Sequence, residues 1–358
     1  MEIGASVSET NMNATMTVKG RVMRMLATLA VAGPWRGAVE KMTCTIGHKY
    51  PTSRTVLSFC RHFGAVLIER EGKGFERVIE LSSGGKMPCG KDDRLAPICA
   101  MFYFVGTITN QDEDERPLVR LLCRAVNQGD TFFDMGANVG FYSSFVGPLC
   151  GKSGMVHSFE ANPFLIPHLR RLAEMNKPKA NIVINAVAVG SDSGKTLQLY
   201  DPERVGGSSL YKLEWLNAAS SVTVPMTTID EYRRANGITR LDVVKIDIEG
   251  AELDAFRGME ETFAACPPWL ILCELALLIP ADQDGTESAH AGAHGGHPRE
   301  IIKLLASKGY EPRYVREHDG RLGAIVGRDE LERLSQNLIN IAFVRSGVRE
   351  TKPDLFCA

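Results

Sequence analysis

The chain has 358 residues, 23% of them charged, and a net charge of -2, which allows one large domain with an appendage. That balance excludes a globally basic nucleic-acid binder, and no apolar run is long enough to span a bilayer. Nine cysteines without a Cys-x-x-Cys pair, some inside apolar runs such as Leu270-Ile-Leu-Cys273, point to free thiols in a reducing, cytoplasmic setting rather than to disulfides or zinc.

Residues 1–17 are rich in Ser, Thr, Asn and Met and read as a fraying terminus. Lys19 to Ala32 reads as an amphipathic helix stopped by Gly33-Pro34 rather than as a signal segment, since it begins well inside the chain. Strand patterns follow at Thr55–Phe59, Gly64–Arg70 and Phe75–Leu81, with Glu71-Gly-Lys-Gly74 as a hairpin turn between the last two. Ser82 to Lys86 reads as a loop. Residues 1–91 are therefore expected to form an appended β-containing region, and 92–358 the principal domain. In that domain the acidic run Asp112–Glu115 precedes a helix from Pro117 to Val126, with Leu118, Leu121, Leu122 and Val126 on one face.

From Gly129 the chain alternates between strands and helices. Thr131-Phe-Phe-Asp134 is a buried strand, and Gly136 and Gly140 bracket a tight turn into an apolar helix. Gly154 to Glu160 is a second strand, followed by a helix that Asn162-Pro163 opens. Asn181 to Val189 reads as a third strand, Lys195–Tyr200 and Ser221–Pro225 as short strands, and Thr228 as the N-cap of a helix to Asn236. Leu241 to Asp247, Trp269 to Glu274 and Ile339 to Val344 complete the strands, with a helix at Glu300–Ser307. This rhythm predicts an α/β fold, a doubly wound Rossmann-like, mostly parallel sheet. The linker Ala281–Pro298 contains His290, His294 and His297 but no Cys or clear carboxylate partner. It reads as a surface loop, and no metal is expected.

Ligands of such sheets lie outside the carboxyl ends of the strands. Asp134, Glu160, Asn185, Asp247 and Glu274 end strands there. Glu160 lies roughly 20 residues beyond the glycine turn, where an acid suits a ribose diol. A nicotinamide dinucleotide and S-adenosylmethionine both remain open. The spacing Asp134-x-Gly136-x-x-x-Gly140 departs from G-x-G-x-x-G, however, and an acid before the turn would repel pyrophosphate while suiting a cationic amino-acid group. The residues alone thus lean toward S-adenosylmethionine. An NAD(P)-dependent oxidoreductase or a cofactor-binding, non-catalytic module stands as the alternative.

Phe133-Asp-Met-Gly-Ala-Asn-Val-Gly-Phe-Tyr142, Ser158-Phe-Glu-Ala-Asn-Pro163, Asn185-Ala-Val-Ala-Val-Gly190 and Val244-Lys-Ile-Asp-Ile-Glu-Gly-Ala-Glu252 resemble, in order, the motif blocks of the FkbM-type class I S-adenosylmethionine-dependent methyltransferases. The resemblance covers about Phe104 to Leu275. It implies that Asp134, Gly136, Ala137 and Asn138 line the methionine part of S-adenosyl-L-methionine, with Gly140 letting the helix approach. It further implies Glu160 on the ribose, Asn162 near it, and Asn185 and Ala186 at the adenine, where Asn185 stands in place of an acid. Asp247 would lie nearest the transferable methyl and serve as general base or acceptor orienter, with Glu249 second to it. Strand alternation puts Lys245 on the face of Asp247, where it would set that acid's charge. The implied partner is a small-molecule or glycan hydroxyl acceptor, and no nucleic acid is expected, because the chain shows no base-flipping motif.

Overall fold

The computed structural model describes residues 77–89, 115–200, 202, 220–276, 298–316, 319–326 and 338–357, with scattered positions between 22 and 66. The chain divides into two compact units. One comprises 1–79 and 88–112, the other 80–87 and 113–358. In the first unit the described positions between 22 and 32 are helical, in line with the Lys19–Ala32 helix. Val66, inside the predicted strand Gly64–Arg70, is helical rather than extended. Strand β1 (Arg77–Glu80) pairs instead with β2 (Lys86–Cys89). The turn between them is Leu81–Gly85, closed by Gly84 N donating to Leu81 O at 2.8 Å. The predicted turn Glu71–Gly74, the strand Thr55–Phe59 and all of Gly64–Arg70 but Val66 lie outside the described residues, and the Ser82–Lys86 stretch read as a loop is the turn of the β1–β2 hairpin with Lys86 opening β2.

The second unit is built on an eight-stranded sheet. In chain order its elements are α1 (Glu115–Ala125), β3 (Thr131–Met135), α2 (Phe141–Cys150), β4 (Met155–Phe159), α3 (Ile166–Asn176) and β5 (Ile182–Asn185). After these come β6 (Ala188–Val189), β7 (Thr196–Tyr200), β8 (Ser221–Thr227), α4 (Ile229–Ala235), β9 (Val243–Ile246), α5 (Glu252–Arg257) and α6 (Glu260–Ala265). The last are β10 (Leu270–Ala276), α7 (Pro298–Ser307), β11 (Tyr310–Val315), β12 (Leu322–Ile325), β13 (Leu338–Arg345) and α8 (Val348–Thr351). The strand order is β12-β11-β13-β10-β9-β3-β4-β5. β5, β4, β3, β9 and β10 run parallel, and β13, β11 and β12 pair antiparallel. The order reverses between β3 and β9, so their carboxyl ends flank the crevice where such sheets bind ligands.

The parallel strands are covered on both faces, and their residues are accordingly apolar. Phe132, Phe133, Phe159 and Phe343 are all at most 1% exposed, each contributing roughly 1.5–3 kcal/mol by burial. One face packs Phe133, Ile246 and Cys273 against Ile229 of α4, Phe256 of α5, and Ile301 and Leu305 of α7. Thr228 caps α4 as expected, its Oγ1 accepting from Glu231 N at 3.1 Å.

The predicted third strand is two strands. β5 ends at Asn185, and Ala188–Val189 joins β8 and β7 in a separate three-stranded sheet. A continuous apolar run hid this break, because periodicity carries no information about which sheet a strand joins. β11 lay unmarked in the sequence for a similar reason, since Glu311, Pro312 and Arg313 interrupt its pattern. The His-containing linker, Pro298 excepted, lies outside the described residues. Among the described residues no helix is long and apolar enough to cross a membrane.

Candidate active site

The turn after β3 is shaped by left-handed backbone at Gly136 (φ 81), Asn138 (φ 50) and Gly140 (φ 80). At Gly136 glycine is required twice over. A Cβ there would lie 1.8 Å from the carbonyl oxygen of Asp247, so only glycine lets the β3 and β9 ends approach this closely. Gly136 N and Ala137 N both donate to Phe159 O, at 3.0 and 2.9 Å, which ties the turn to the end of β4. Gly140 serves packing. Its Cβ would lie 2.5 Å from Leu172 Cδ1 on α3, and Gly140 is not among the residues lining the pocket.

Glu160 is 8% exposed. Its Oε2 accepts from Asn138 N at 2.7 Å and its Oε1 from Asn162 N at 2.8 Å. Burial pushes the Glu160 carboxyl up, and the two backbone donors partly offset this. Both oxygens are thereby fixed in place with a lone pair each to spare. Asn162 itself is spent on structure. Its Nδ2 donates to Pro202 O at 2.7 Å and its Oδ1 accepts from Phe164 N at 3.0 Å, so it supports Glu160 rather than lining the pocket.

Asp134 is 1% exposed. Its Oδ2 accepts from Ser143 Oγ at 2.5 Å, while its Oδ1 has no hydrogen-bond partner among the described residues. Burial raises its pKa against the lowering influence of Lys245 and Ser143. Asn138 Oδ1, close by in the chain, is likewise buried and unpartnered. A buried acceptor without a donor costs about 1–3 kcal/mol, and one of these stands at the end of β3 and the other in the turn that follows it.

Across the crevice, Asp134 and Lys245 are register partners on β3 and β9 and share a face of the sheet. Lys245 Nζ lies 2.9 Å from Asp247 Oδ2 and 4.9 Å from the centre of the Tyr142 ring. The alternation expected from the sequence therefore brings Lys245 to Asp247. The Lys245 side chain is 7% exposed and the Asp247 side chain 30%, so the ammonium is buried and the carboxylate faces the opening. Burial pushes the Asp247 carboxyl up, but Lys245 and a hydrogen bond from Glu274 more than offset it and hold the group below the usual range. Glu249 adopts a left-handed φ of 54, a conformation rare for a non-glycine residue and suggestive of a functional constraint. Glu252 shapes this loop, its Oε1 accepting from Ile248 N and Gly250 N, both at 3.1 Å.

The turn, Glu160 and the loop after β9 border an open pocket of about 650 Å³, a volume that includes open solvent at its mouth. Gly136, Asn138, Glu160, Asp247 and Glu249 line its polar side, and Val187, Ala188, Val189, Leu165 and Leu199 its apolar side. Asp134 and Ala137, both buried, and Asn185 and Ala186 are not among the lining residues. Asn185 Nδ2 donates to Ser158 O at 3.2 Å, and Ala186 is exposed. The apolar wall that stands beyond them comes from β6 and β7. The signal that pointed to it was the apolar run Val187-Ala-Val189 itself, read as the end of the third strand.

The residues fit S-adenosylmethionine. The unpartnered Asp134 Oδ1 and Asn138 Oδ1 suit an ammonium, the fixed carboxylate of Glu160 suits a vicinal diol, and the Val187–Val189 wall suits a flat base. A parallel sheet with one antiparallel hairpin edge and this crevice defines a class I methyltransferase. A family model described as the methyltransferase FkbM domain matches residues 134–312. The chain belongs to that family and is an S-adenosylmethionine-dependent methyltransferase. It is similar to the hexuronic acid methyltransferase AglP of Haloferax volcanii, at 26% identity over 54% of this chain and 68% of that protein. Solved structures resembling it include an O-methyltransferase from Bacillus cereus, at 14% identity over 64% of this chain and 80% of the other, with a TM-score of 0.36. Another is Aeropyrum pernix fibrillarin, at 13% identity over 75% and 93%, with a TM-score of 0.35.

Proposed function

We propose that this chain methylates a hydroxyl group of a sugar or another small molecule, and that Asp247 is the residue that meets the acceptor. The observation that carries this reading is the half-open Asp247 carboxylate, held at 2.9 Å by a buried lysine and lining the same pocket as Gly136 and Glu160. The name of the Haloferax volcanii relative supports a sugar acceptor. Asp134 and Asn138 hold the ammonium of the cofactor, Glu160 its ribose, and Val187–Val189 with Leu199 its base. When bound, S-adenosylmethionine supplies an electrophilic methyl on a sulfonium.

The protein's own contribution is then positioning, which is worth about 7–11 kcal/mol in well-oriented systems. Asp247 accepts a hydrogen bond from the acceptor hydroxyl, orients its oxygen, and takes its proton as the new C–O bond forms. A hydroxyl bonding to carbon becomes strongly acidic, so a weakly basic carboxylate suffices. Lys245 keeps Asp247 ionised, and Glu249 borders the acceptor side. We assign residues 92–358 to the methyltransferase domain. A reducing, cytoplasmic compartment accords with the six described cysteines, all free.

The test is release of S-adenosylhomocysteine from S-adenosylmethionine in the presence of acceptor panels of sugars, polyols, phenols and amines. Turnover with hydroxyl compounds is the expected result. Turnover confined to amines would overturn the reading.

A further inference from the structure

A second acid stands beside Asp247. Ile246 and Cys273 are register partners on the parallel strands β9 and β10, and both face the same core. The next residues, Asp247 and Glu274, therefore lie side by side on the opposite face. Their carboxyl groups are within hydrogen-bonding reach of one another. Two carboxylates cannot hold that contact when both are ionised, because each lacks a proton to donate and each repels the other. Lys245 Nζ sits 2.9 Å from Asp247 Oδ2, so its positive charge favours leaving Asp247 as the ionised member.

Resting on the reading of Asp247 as the acceptor-orienting group, we propose that Glu274 is a positioning residue. It carries the one proton of an Asp247–Glu274 pair and uses it to hold the Asp247 carboxylate toward the acceptor. The groups acting on Glu274 agree with this. Burial first, and then the charge of Asp247, push its carboxyl up to about 9, with Glu249 adding to the effect and Lys245 opposing it. From β13, the residue opposite Glu274 is the neutral Asn340. On its own strand, the Cys273 thiol is itself driven far up by burial. Lys245 is the cation that acts on both members of the pair, and Asp134 and Glu252 are further buried acids within electrostatic reach of Asp247. The pair together with Lys245 carries no net charge at neutral pH.

The consequence is an alkaline limit. When Glu274 loses its proton, two carboxylates face each other and Asp247 is no longer held. The experiment is a carbon-13 NMR titration of the full-length chain labelled at the glutamate carboxyl, with S-adenosylhomocysteine present. Glu274→Asp assigns the Glu274 signal, and Glu160 is told apart by its shift when S-adenosylhomocysteine is added. The expected result is a Glu274 signal that titrates near 9 and moves down by about 2 units in Asp247→Asn, where the negative partner is gone.

A Glu274 signal titrating in the ordinary carboxylate range, or one that Asp247→Asn leaves unmoved, overturns the proposal. If Glu274→Asp does not fold, Glu274→Gln supplies the assignment by loss of the signal, and its amide preserves the hydrogen bond to Asp247. Turnover plays no part in this readout. An Asp247 that proved dispensable for methyl transfer would sink the acceptor assignment and leave the titration standing.

Discussion

Replacing Gly136 by alanine tests whether the turn after β3 and the loop after β9 are built as one piece. The added Cβ would lie 1.8 Å from Asp247 O and 2.8 Å from Asp247 C, and real Cβ atoms stay beyond 3.0 Å. The obstacle is backbone, so no side-chain rotation relieves it. The Asp247 oxygen must retreat by about 1 Å, or β3 and β9 must separate, and a displacement of that size can cost about 100-fold in rate. Alanine at φ 81 adds about 1–2 kcal/mol, and overpacking typically adds another 1–3 kcal/mol. A combined loss of about 2–5 kcal/mol lowers the melting temperature by roughly 5 °C or more. The assay is a thermal melt together with methyl transfer to an acceptor found in the panel. A Gly136→Ala protein with the wild-type melt and wild-type turnover would refute the reasoning.

Glu160→Gln should weaken S-adenosylmethionine binding by about 10- to 150-fold, the worth of roughly 1.5–3 kcal/mol for a hydrogen bond to a charged group, as read by calorimetry. His157 is 7% exposed, and burial lowers its pKa from 6.5 to about 4. The unfolded chain therefore binds a proton in that window that the folded chain refuses, and the histidine's stability contribution is present above 6.5 and lost as pH falls toward 4. Denaturant melts should show about 2–3 kcal/mol less acid-side loss in His157→Asn than in wild type. Thr228→Ala removes the α4 cap and should cost about 1 kcal/mol, a melting shift of roughly 2–4 °C.

The parallel core and the polar half of the site were legible because both are written in local pattern. Apolar runs ending in acids gave β3, β4, β9 and β10, and the spacing of Gly136, Glu160 and Asp247 gave the pocket's polar wall. What stayed hidden depends on tertiary pairing. The break between Asn185 and Ala188 is invisible in an unbroken apolar run, and it puts Val187–Val189 rather than Asn185 and Ala186 on the pocket wall. Asn162, read as lying near the ribose, is consumed by Pro202 and Phe164, while Gly140, listed with the cofactor residues for letting the helix approach, packs on Leu172. Glu274 was visible as a strand-end acid, but its pairing with Asp247 follows only from strand register.

Asp247→Asn is the most direct test of the account. Affinity for S-adenosylmethionine and release of S-adenosylhomocysteine are measured on the same preparation, with an acceptor the wild-type enzyme methylates. The account predicts binding within a few-fold of wild type and loss of most of the turnover, on the order of 100-fold or more for a misplaced proton acceptor. Methylation at the wild-type rate in that variant would contradict it.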